Sequence, residues 1–460
     1  MDRFYSSEDE LLFQGKKILG SALFDLYGGQ SVAKANEANG KGAFGNIVEE
    51  LHYSIINNNR ALPDVENLGV EIKTNPLKQN QDGTFVPKEV VSLGMIDFST
   101  LVNEDFDSSA FIKKNQNILY NMYWHENKSQ EIYNYKIALV DLIKLSDKDL
   151  KVIRGDWEYV KRMASKGRAE ELSKGDTSYL AAGTKGQGKQ KKQPYHTNQG
   201  EFYAKKRAFV FKTAYIRSLL DDYTLRWVDD THPIFEKRRK PLRVSILKDK
   251  ESDIQEAVKN RFNPFIGMSD FEIAKIFNAQ LMFTQANDKS RWHWNTSLIL
   301  TGKKKKNLSK FIDEFSKSGL TVKTIRVDEN MLPLEEVSFR TQDYGVKADS
   351  TWRDSSLYEE MSRKFLWVVY QKNGDVFRLK KVQFWSMPDK HLSLVKSKWK
   401  RYKEMILSKD FRPSYFMNED SFYYMKIKDN KGGKNKKYAG LNVTSLSHWF
   451  RKSYVQEIIS

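Results

Sequence analysis

The sequence predicts an α/β protein built as two tandem domains. Three observations carry this: 460 residues exceed one ordinary core, strand-like and helix-like segments alternate through the first half, and the second half repeats its signals in order. A first domain is expected over 1–228, a charged linker over 229–261 and a second domain over 262–460.

The first half reads as helical at its start, strand-like around 68–93 and 131–145, and helical again near 156–172. TKGQGKQKKQPYHTNQG (184–200) is a Gly, Gln and Lys-rich loop. The linker reading rests on DDTHPIFEKRRKPLRVSILKDKESDIQ (229–255), with two prolines and the run KRRK. The repeat has a period of roughly 240–250 residues: LGVEIKT (68–74) faces SGLTVKT (318–324), and DSSAF (107–111) faces DSSLY (354–358). ILYNMYW (118–124) then faces FLWVVYQ (365–371), and WEYVKRM (157–163) faces WKRYKEM (399–405). Each match alone is weak, but their common order argues for a duplicated domain rather than a solenoid.

Composition narrows the function. A hydrophobic fraction of 40% suffices for real cores, and no apolar run approaches the ~20 residues of a spanning helix. The start, MDRFYSSEDELLFQG, lacks the basic flank and apolar stretch of a secretory signal, so a soluble cytoplasmic protein is expected. Without cysteine there are no disulfides, thiolate nucleophiles or sulfur-held zinc, and any metal is expected to be a hard ion bound by oxygen. Lys and Arg outnumber Asp and Glu by 77 to 59, a net charge of +18 that points to a polyanion, since basic side chains release the counterions condensed on phosphates. The basic residues alternate with aromatics instead of forming one amphipathic helix, which disfavours a membrane surface.

The chemistry concentrates in PDVENLGVEIKT (63–74), where Asp64 is followed seven residues later by Glu71 and then by Lys73. Strand alternation puts Val70 and Ile72 on one face and Glu71 and Lys73 on the other. Phosphodiester cleavage needs a cation against the charge building on the phosphoryl oxygens, and Mg²⁺ prefers carboxylate and water oxygens. Asp64 and Glu71 supply such oxygens, and an adjacent lysine positions the attacking water and offsets transition-state charge. The bare pattern is unspecific in a chain that is 30% charged, and an ion-paired surface strand gives the same letters. Context adds weight, because the copy in the second half has Thr321 in place of Glu71 while keeping Lys323.

At these residues the chain resembles MutH and the Sau-type type II restriction endonucleases that read GATC, within the PD-(D/E)xK nuclease superfamily. The resemblance covers nearly the whole chain for the Sau-type enzymes and the N-terminal half for MutH. It implies two tandem MutH-like domains, each a mixed central sheet flanked by helices. The first would be catalytic, cutting both DNA strands at GATC immediately 5′ of the G with Mg²⁺. The second, degenerate, would bind a second GATC site as an allosteric effector. It further implies a monomer when free and a cognate methyltransferase in the same restriction-modification system. KGAFGNIVE (41–49) carries over Glu49 as a further acid of the metal site, with Glu50 an adjacent competitor. SSAFIKKNQNILY (108–120) carries over a catalytic lysine as Lys114, with Lys113 the alternative. SYLAAGTKG (178–186) resembles the DNA-reading loop and places a base-contacting lysine at Lys185, although Gly183 stands where MutH has an arginine. FYAKKRAFVFKTAYI (202–216) carries a base-reading tyrosine onto Tyr203.

The residues alone agree that this region is basic: Lys185, Lys189, Lys191, Lys192, Lys205, Lys206, Arg207, Lys212 and Arg217 face only Glu201 locally. Such loops contact phosphates, and a few side chains among them reach bases. In the second half MKIKDNKGGKNKKYAG (425–440) holds the corresponding place, with Lys426, Lys428, Lys434, Lys436 and Lys437 as candidate contacts.

Two rival readings are a mismatch-repair nicking enzyme like MutH and a non-catalytic DNA-binding protein that keeps only the fold. Length and duplication argue against the first, and intact Asp64, Glu71 and Lys73 against the second. His125 and His293 lack partners at metal-ligand spacing, Trp157 and Trp399 read as core, and GQGK lacks the context of a P-loop, so an ATPase is not supported.

Overall fold

Each half turns on a glycine that delivers the chain into a parallel strand. Gly69 (φ 64°) ends a 3₁₀ turn, Glu66–Leu68, and leads into β1 (Val70–Gln79). Gly319 (φ 70°) ends a helix and precedes the strand of SGLTVKT. Both occupy the left-handed region that glycine adopts without a Cβ penalty, which is why the repeat shares that letter. The computed structural model describes residues 3–29, 43–56, 62–79, 85–125, 131, 134–185, 192–229, 232–238, 242–248, 251–279, 291–339, 351–352, 355–408, 422–427, 436–438, 441–443 and 446–460. They form two compact units, Met1–Leu242 and Arg243–Ser460.

The first unit begins with α1 (Glu8–Lys16), α2 (Leu23–Tyr27) and α3 (Ala43–Ile47), the last running into a π-helical turn, Val48–His52. After β1 come β2 (Phe85–Pro87), β3 (Val91–Ile96), α4 (Phe98–Leu101), α5 (Ala110–Asn115), β4 (Asn117–Trp124), β5 (Ile137–Lys144) and α6 (Asp147–Ser165). Then follow β6 (Leu180–Thr184), β7 (Gln193–Thr197), β8 (Gly200–Ala204), β9 (Arg207–Phe211), α7 (Thr213–Leu220) and the hairpin β10 (Tyr223–Asp229) and β11 (His232–Lys237). The central sheet runs β2-β1-β4-β5 and is mixed, with β1 and β4 parallel and the other pairs antiparallel. A second sheet, β3-β9-β6, and a small hairpin, β7-β8, complete the unit.

The second unit holds α8 (Ile254–Phe262), α9 (Asp270–Ile276), α10 (Arg291–Thr301), α11 (Leu308–Phe311), α12 (Asp313–Ser318), β12 (Thr321–Val327), β13 (Val337–Ser338) and α13 (Ser356–Met361). They are followed by β14 (Lys364–Asn373), β15 (Val376–Ser386), α14 (Asp389–Leu407), β16 (Tyr423–Ile427), β17 (Lys436–Tyr438), β18 (Leu441–Val443), β19 (Leu446–Phe450) and α15 (Lys452–Ile459). Its sheets, β12-β14-β15 and β13-β19-β16 with the hairpin β17-β18, repeat β1-β4-β5, β3-β9-β6 and β7-β8 of the first unit, with no counterpart of β2 or of the β10-β11 hairpin among the described residues. The register matches too: Glu71 lies opposite Ile118 in the parallel pair of the first unit, and Thr321 opposite Phe365 in that of the second. The expected duplication is therefore a duplication of architecture. The DSS motif supplies a helix N-cap in each half, through its second serine, Ser109, which accepts from Ile112 N–H (3.3 Å), and through its first serine, Ser355, which accepts from Tyr358 N–H (3.1 Å).

The segment 229–261, read from its charge as a connection, contains β11 of the first unit and most of α8 of the second. The helix expected near 156–172 starts earlier, because Ser146 caps it at Asp149 N–H (3.2 Å), and it stops at Gly167, whose φ is 72°. Each unit has its own apolar core. Val70, Ile72 and Leu119 pack with Tyr5, Tyr53 and Ile137 in the first, and Phe365, Trp367, Trp399 and Phe450 pack together in the second. Trp157 is fully buried against Phe106.

Beneath the second sheet, buried Asp156 of α6 accepts from the backbone N–H groups of Ser178 (2.7 Å), Tyr179 (2.6 Å) and Leu180 (2.9 Å). Burial pushes its carboxyl above the usual range despite these donors and Lys212. Asp156→Ala would strand three donors at the start of β6, and is expected to cost about 2–4 kcal/mol in urea denaturation. Asp156→Asn, which keeps an acceptor, should cost less. A loss below about 1 kcal/mol for the alanine variant would show that the carboxylate is not the anchor.

Candidate active site

β1 carries Glu71 and Lys73 on the face opposite the Val70 and Ile72 core, as alternation dictates. That face is not open to water. α5 packs against it, and the Glu71 side chain is only 1% exposed. Glu71 Oε1 accepts from Lys73 Nζ, and Lys114 Nζ, presented by α5, lies 3.4 Å from the same oxygen. Lys113, on the same helix, is exposed. Asp64 precedes the strand, and its Oδ2 accepts from Ile72 N–H at 2.8 Å, which fixes the carboxylate beside β1.

Glu49 sits in the π-helical turn at the end of α3, the kind of irregularity often found at functional sites. Burial first, then the charge of Asp64, push its carboxyl up to about 8, while Lys73 and Lys114 pull it back. Glu71 is pushed up to about 7, mainly by burial and further by Asp64, against the pull of Lys73 and Lys114. For Lys73 burial works downward, but Glu71, Asp64 and Glu49 outweigh it and hold the ammonium above its ordinary value. The asymmetry is physical: the enclosed carboxylate loses more hydration than the two lysines return, while the partly exposed ammonium gains from several acids. The structure thus brings Glu49, Asp64, Glu71, Lys73 and Lys114 into one electrostatic cluster.

The donors in that cluster suit a hard divalent cation. All are carboxylates, and Glu71 Oε2 is buried with no hydrogen-bond donor among the described residues. Carboxylates raised by burial and mutual repulsion are those a bound cation would relieve. Among the described residues no three His, Asp or Glu side chains stand at common metal-ligand spacing. Lys73 and Lys114 instead supply the positive charge on Glu71.

Residues outside the sequence motifs hold the Glu49 turn in place. His52 is buried, with Nδ1 2.6 Å from Tyr27 OH and Nε2 2.8 Å from the Gln14 carbonyl, while Gln14 Nε2 returns a bond to the His52 carbonyl at 2.9 Å. Burial pulls the imidazole down to about 4, so it is neutral at pH 7, donating from Nε2 and accepting at Nδ1. These contacts span the distance from α1 to the π turn and leave no spacing signal in the sequence.

Lys185 directly follows β6, its N–H bonded to the Lys206 carbonyl at 3.0 Å, and burial first, then the charge of Lys73, pull its ammonium below the ordinary value. The expected reading loop therefore approaches the acidic cluster. Tyr203 on β8 is 55% exposed, and Lys206 is exposed. Lys205 is tied to Glu170, by Nζ at 3.0 Å and by its N–H at 3.0 Å, and Lys192 also reaches Glu170 at 3.7 Å. The basic segment thus has a counter-charge beyond Glu201, contributed by a residue outside it. Arg207 is 5% exposed and donates to the Ala182 carbonyl (3.1 Å) and the Glu170 carbonyl (3.0 Å), so its guanidinium braces the sheet instead of facing solvent. Lys189 and Lys191 lie outside the described residues.

In the second unit Lys323 donates to the Ser338 carbonyl at 2.8 Å and lies over the Phe339 ring. Thr321 takes the Glu71 position, and where the first unit has Lys114 the second has Glu360 when counted from the capping serine and Met361 when counted from the strand register. This copy lacks both the strand glutamate and the helix lysine. Lys428 and Lys434 lie outside the described residues, and Lys426, Lys436 and Lys437 fall on β16 and β17, where only the backbone is described. His125 Nε2 faces Lys88 Nζ at 2.8 Å, and His293 Nε2 faces the carbonyls of Lys305 and Lys306.

Residues 53–156, which include Asp64, Glu71, Lys73 and Lys114, match the family model described as DNA mismatch repair enzyme MutH. Over that stretch the chain is similar to the MutH family. It is also 29% identical over 416 residues to the type II restriction enzyme Sau3AI of Staphylococcus aureus, covering 86% of this chain and 79% of that protein. That alignment is far longer than the MutH match and so extends well beyond the nuclease domain. Among the described residues, no helix is long and apolar enough to cross a membrane.

Proposed function

We propose that this nuclease is a type II restriction endonuclease that makes Mg²⁺-dependent double-strand cuts at GATC, immediately 5′ of the G, with its C-terminal unit binding a second site as an effector. The observation that carries the reading is Glu71, buried between Lys73 and Lys114 with Asp64 and Glu49 beside it, set against Thr321 and Glu360 or Met361 in the second unit. Mg²⁺ held by Asp64, Glu71 and Glu49 would supply the positive charge needed at the phosphoryl oxygens. The chain's own residues do the rest. Lys73 orients the attacking water and offsets the charge of the transition state, and Lys114 holds Glu71 in place. Water adds to phosphorus, the bond to the 3′ oxygen breaks, and that oxygen takes up a proton. The methyltransferase of the same system would protect the host's sites, and the free enzyme would be a cytoplasmic monomer.

Lys185 and Tyr203 are assigned to base reading, and Lys205 and Lys206 to phosphates. Duplexes carrying GATC or a one-base variant test this. Tyr203→Ala and Lys185→Ala are expected to lose discrimination between the two by about 1–3 kcal/mol each. Lys206→Ala should weaken binding to both duplexes alike and lower its salt dependence. A uniform loss at Tyr203 with discrimination intact would refute the reading role.

A further inference from the structure

A run of four lysines, Lys303–Lys306, follows α10, and no acid occurs from Arg291 to Ile312. Runs of this kind are usually loosely solvated, but the backbone here is fixed from one side. The Lys303 carbonyl accepts from Ser297 Oγ (2.6 Å) and Thr301 Oγ1 (2.9 Å), and Lys305 N–H donates to Ser297 Oγ (2.8 Å). His293 Nε2 lies 3.2 Å from the Lys305 carbonyl and 3.1 Å from that of Lys306, so the proton it donates is on that nitrogen. Lys304 Nζ stands 4.5 Å from the Trp294 ring centre and Lys305 Nζ 4.2 Å from that of Phe311. Lys303, Lys304 and Lys306 are exposed, and among the described residues none of the four makes an ion pair. The turn is a preorganised cationic platform.

Its place in the fold gives it meaning. α10 packs on β12 as α3 packs on β1. Beyond the turn, Ser309 Oγ donates to the Leu320 carbonyl (2.6 Å), tying this segment to the residue before Thr321. In the first unit the residues just after α3 and at the head of β1 supply acids, Glu49 and Glu71. In the second they supply lysines and a threonine. Carboxylates need a bridging cation to approach a phosphodiester, whereas ammonium groups bind it directly.

We propose that Lys303–Lys306 is a phosphate-binding turn for duplex DNA and that through it the C-terminal unit engages DNA without a divalent ion. This deepens the proposed function and rests on the chain being a DNA nuclease. The test uses the full-length protein and a labelled duplex, with fluorescence anisotropy read in EDTA over a salt series. Replacing Lys303, Lys304 and Lys306 together by alanine is expected to weaken binding about tenfold or more and to flatten the plot of log K against log salt by about 2–3, near 0.9 for each phosphate no longer neutralised. The corresponding triple arginine variant should bind like wild type, which separates charge from folding. Alanine-variant binding within about twofold of wild type at an unchanged slope would overturn the proposal, as would wild-type binding that appears only with a divalent ion. If the wild type cuts DNA in Mg²⁺ yet shows no such lysine dependence, this proposal alone fails. If it neither cuts nor binds, the nuclease reading fails with it.

Discussion

Glu71→Ala and Asp64→Ala are each expected to lower cleavage by more than about a thousandfold while duplex binding stays near the wild-type level. Glu71 has the one buried carboxylate oxygen of the cluster left without a donor among the described residues, and Asp64 is locked to the same strand by Ile72 N–H. Removing either takes away an oxygen that no neighbour replaces. Binding survives because neutralising an acid near phosphates lowers repulsion. Glu49→Ala is expected to fall with Glu71→Ala in the same assay, since its charge is felt alongside Asp64, Lys73 and Lys114. Cleavage by Glu71→Ala or Asp64→Ala within about tenfold of wild type would remove those residues from the metal site.

The second large effect is on pH. Burial holds Glu71 near 7 and Glu49 near 8, so both carry protons over part of the physiological range. A carboxylate must be deprotonated to bind a cation, so protons and Mg²⁺ compete, and lowering the pH opposes loading. At Mg²⁺ well below saturation, cleavage should fall steeply from pH 8 to pH 6, approaching about a hundredfold per unit where both acids are protonated. Raising Mg²⁺ should move the profile to lower pH. A flat profile between pH 6 and 8 at limiting Mg²⁺ would contradict the competition.

Much of this was legible in the letters because it is local. Alternation in VEIKT separates the core face from the acid-base face, and the glycine and DSS signals that align the halves are a left-handed turn and a helix cap. Chain separation hid the rest. Composition gave no hint that Glu170 would answer Lys205 and Lys192, or that Arg207, counted with the exposed basic residues, would spend its donors on buried carbonyls. The His52 clamp on the Glu49 turn reaches back to Gln14 and Tyr27 and obeys no motif spacing. The charged stretch 229–261 read as a linker because charge and proline mask a hairpin strand and a helix whose apolar faces are short.

The central claim is that one chain, unaided, cuts both strands at its site and uses its second half to sense another. It is tested most directly by incubating purified full-length protein with Mg²⁺ and plasmids carrying one or two GATC sites, then sequencing the ends. The expected result is linear DNA from the one-site plasmid, fragments beginning at the G of GATC, and faster consumption of the two-site plasmid, because a second bound site favours the active state. Equal rates on the two plasmids would leave the second unit as a clamp without effector function. Nicked circles alone, or plasmid left supercoiled, would contradict the account.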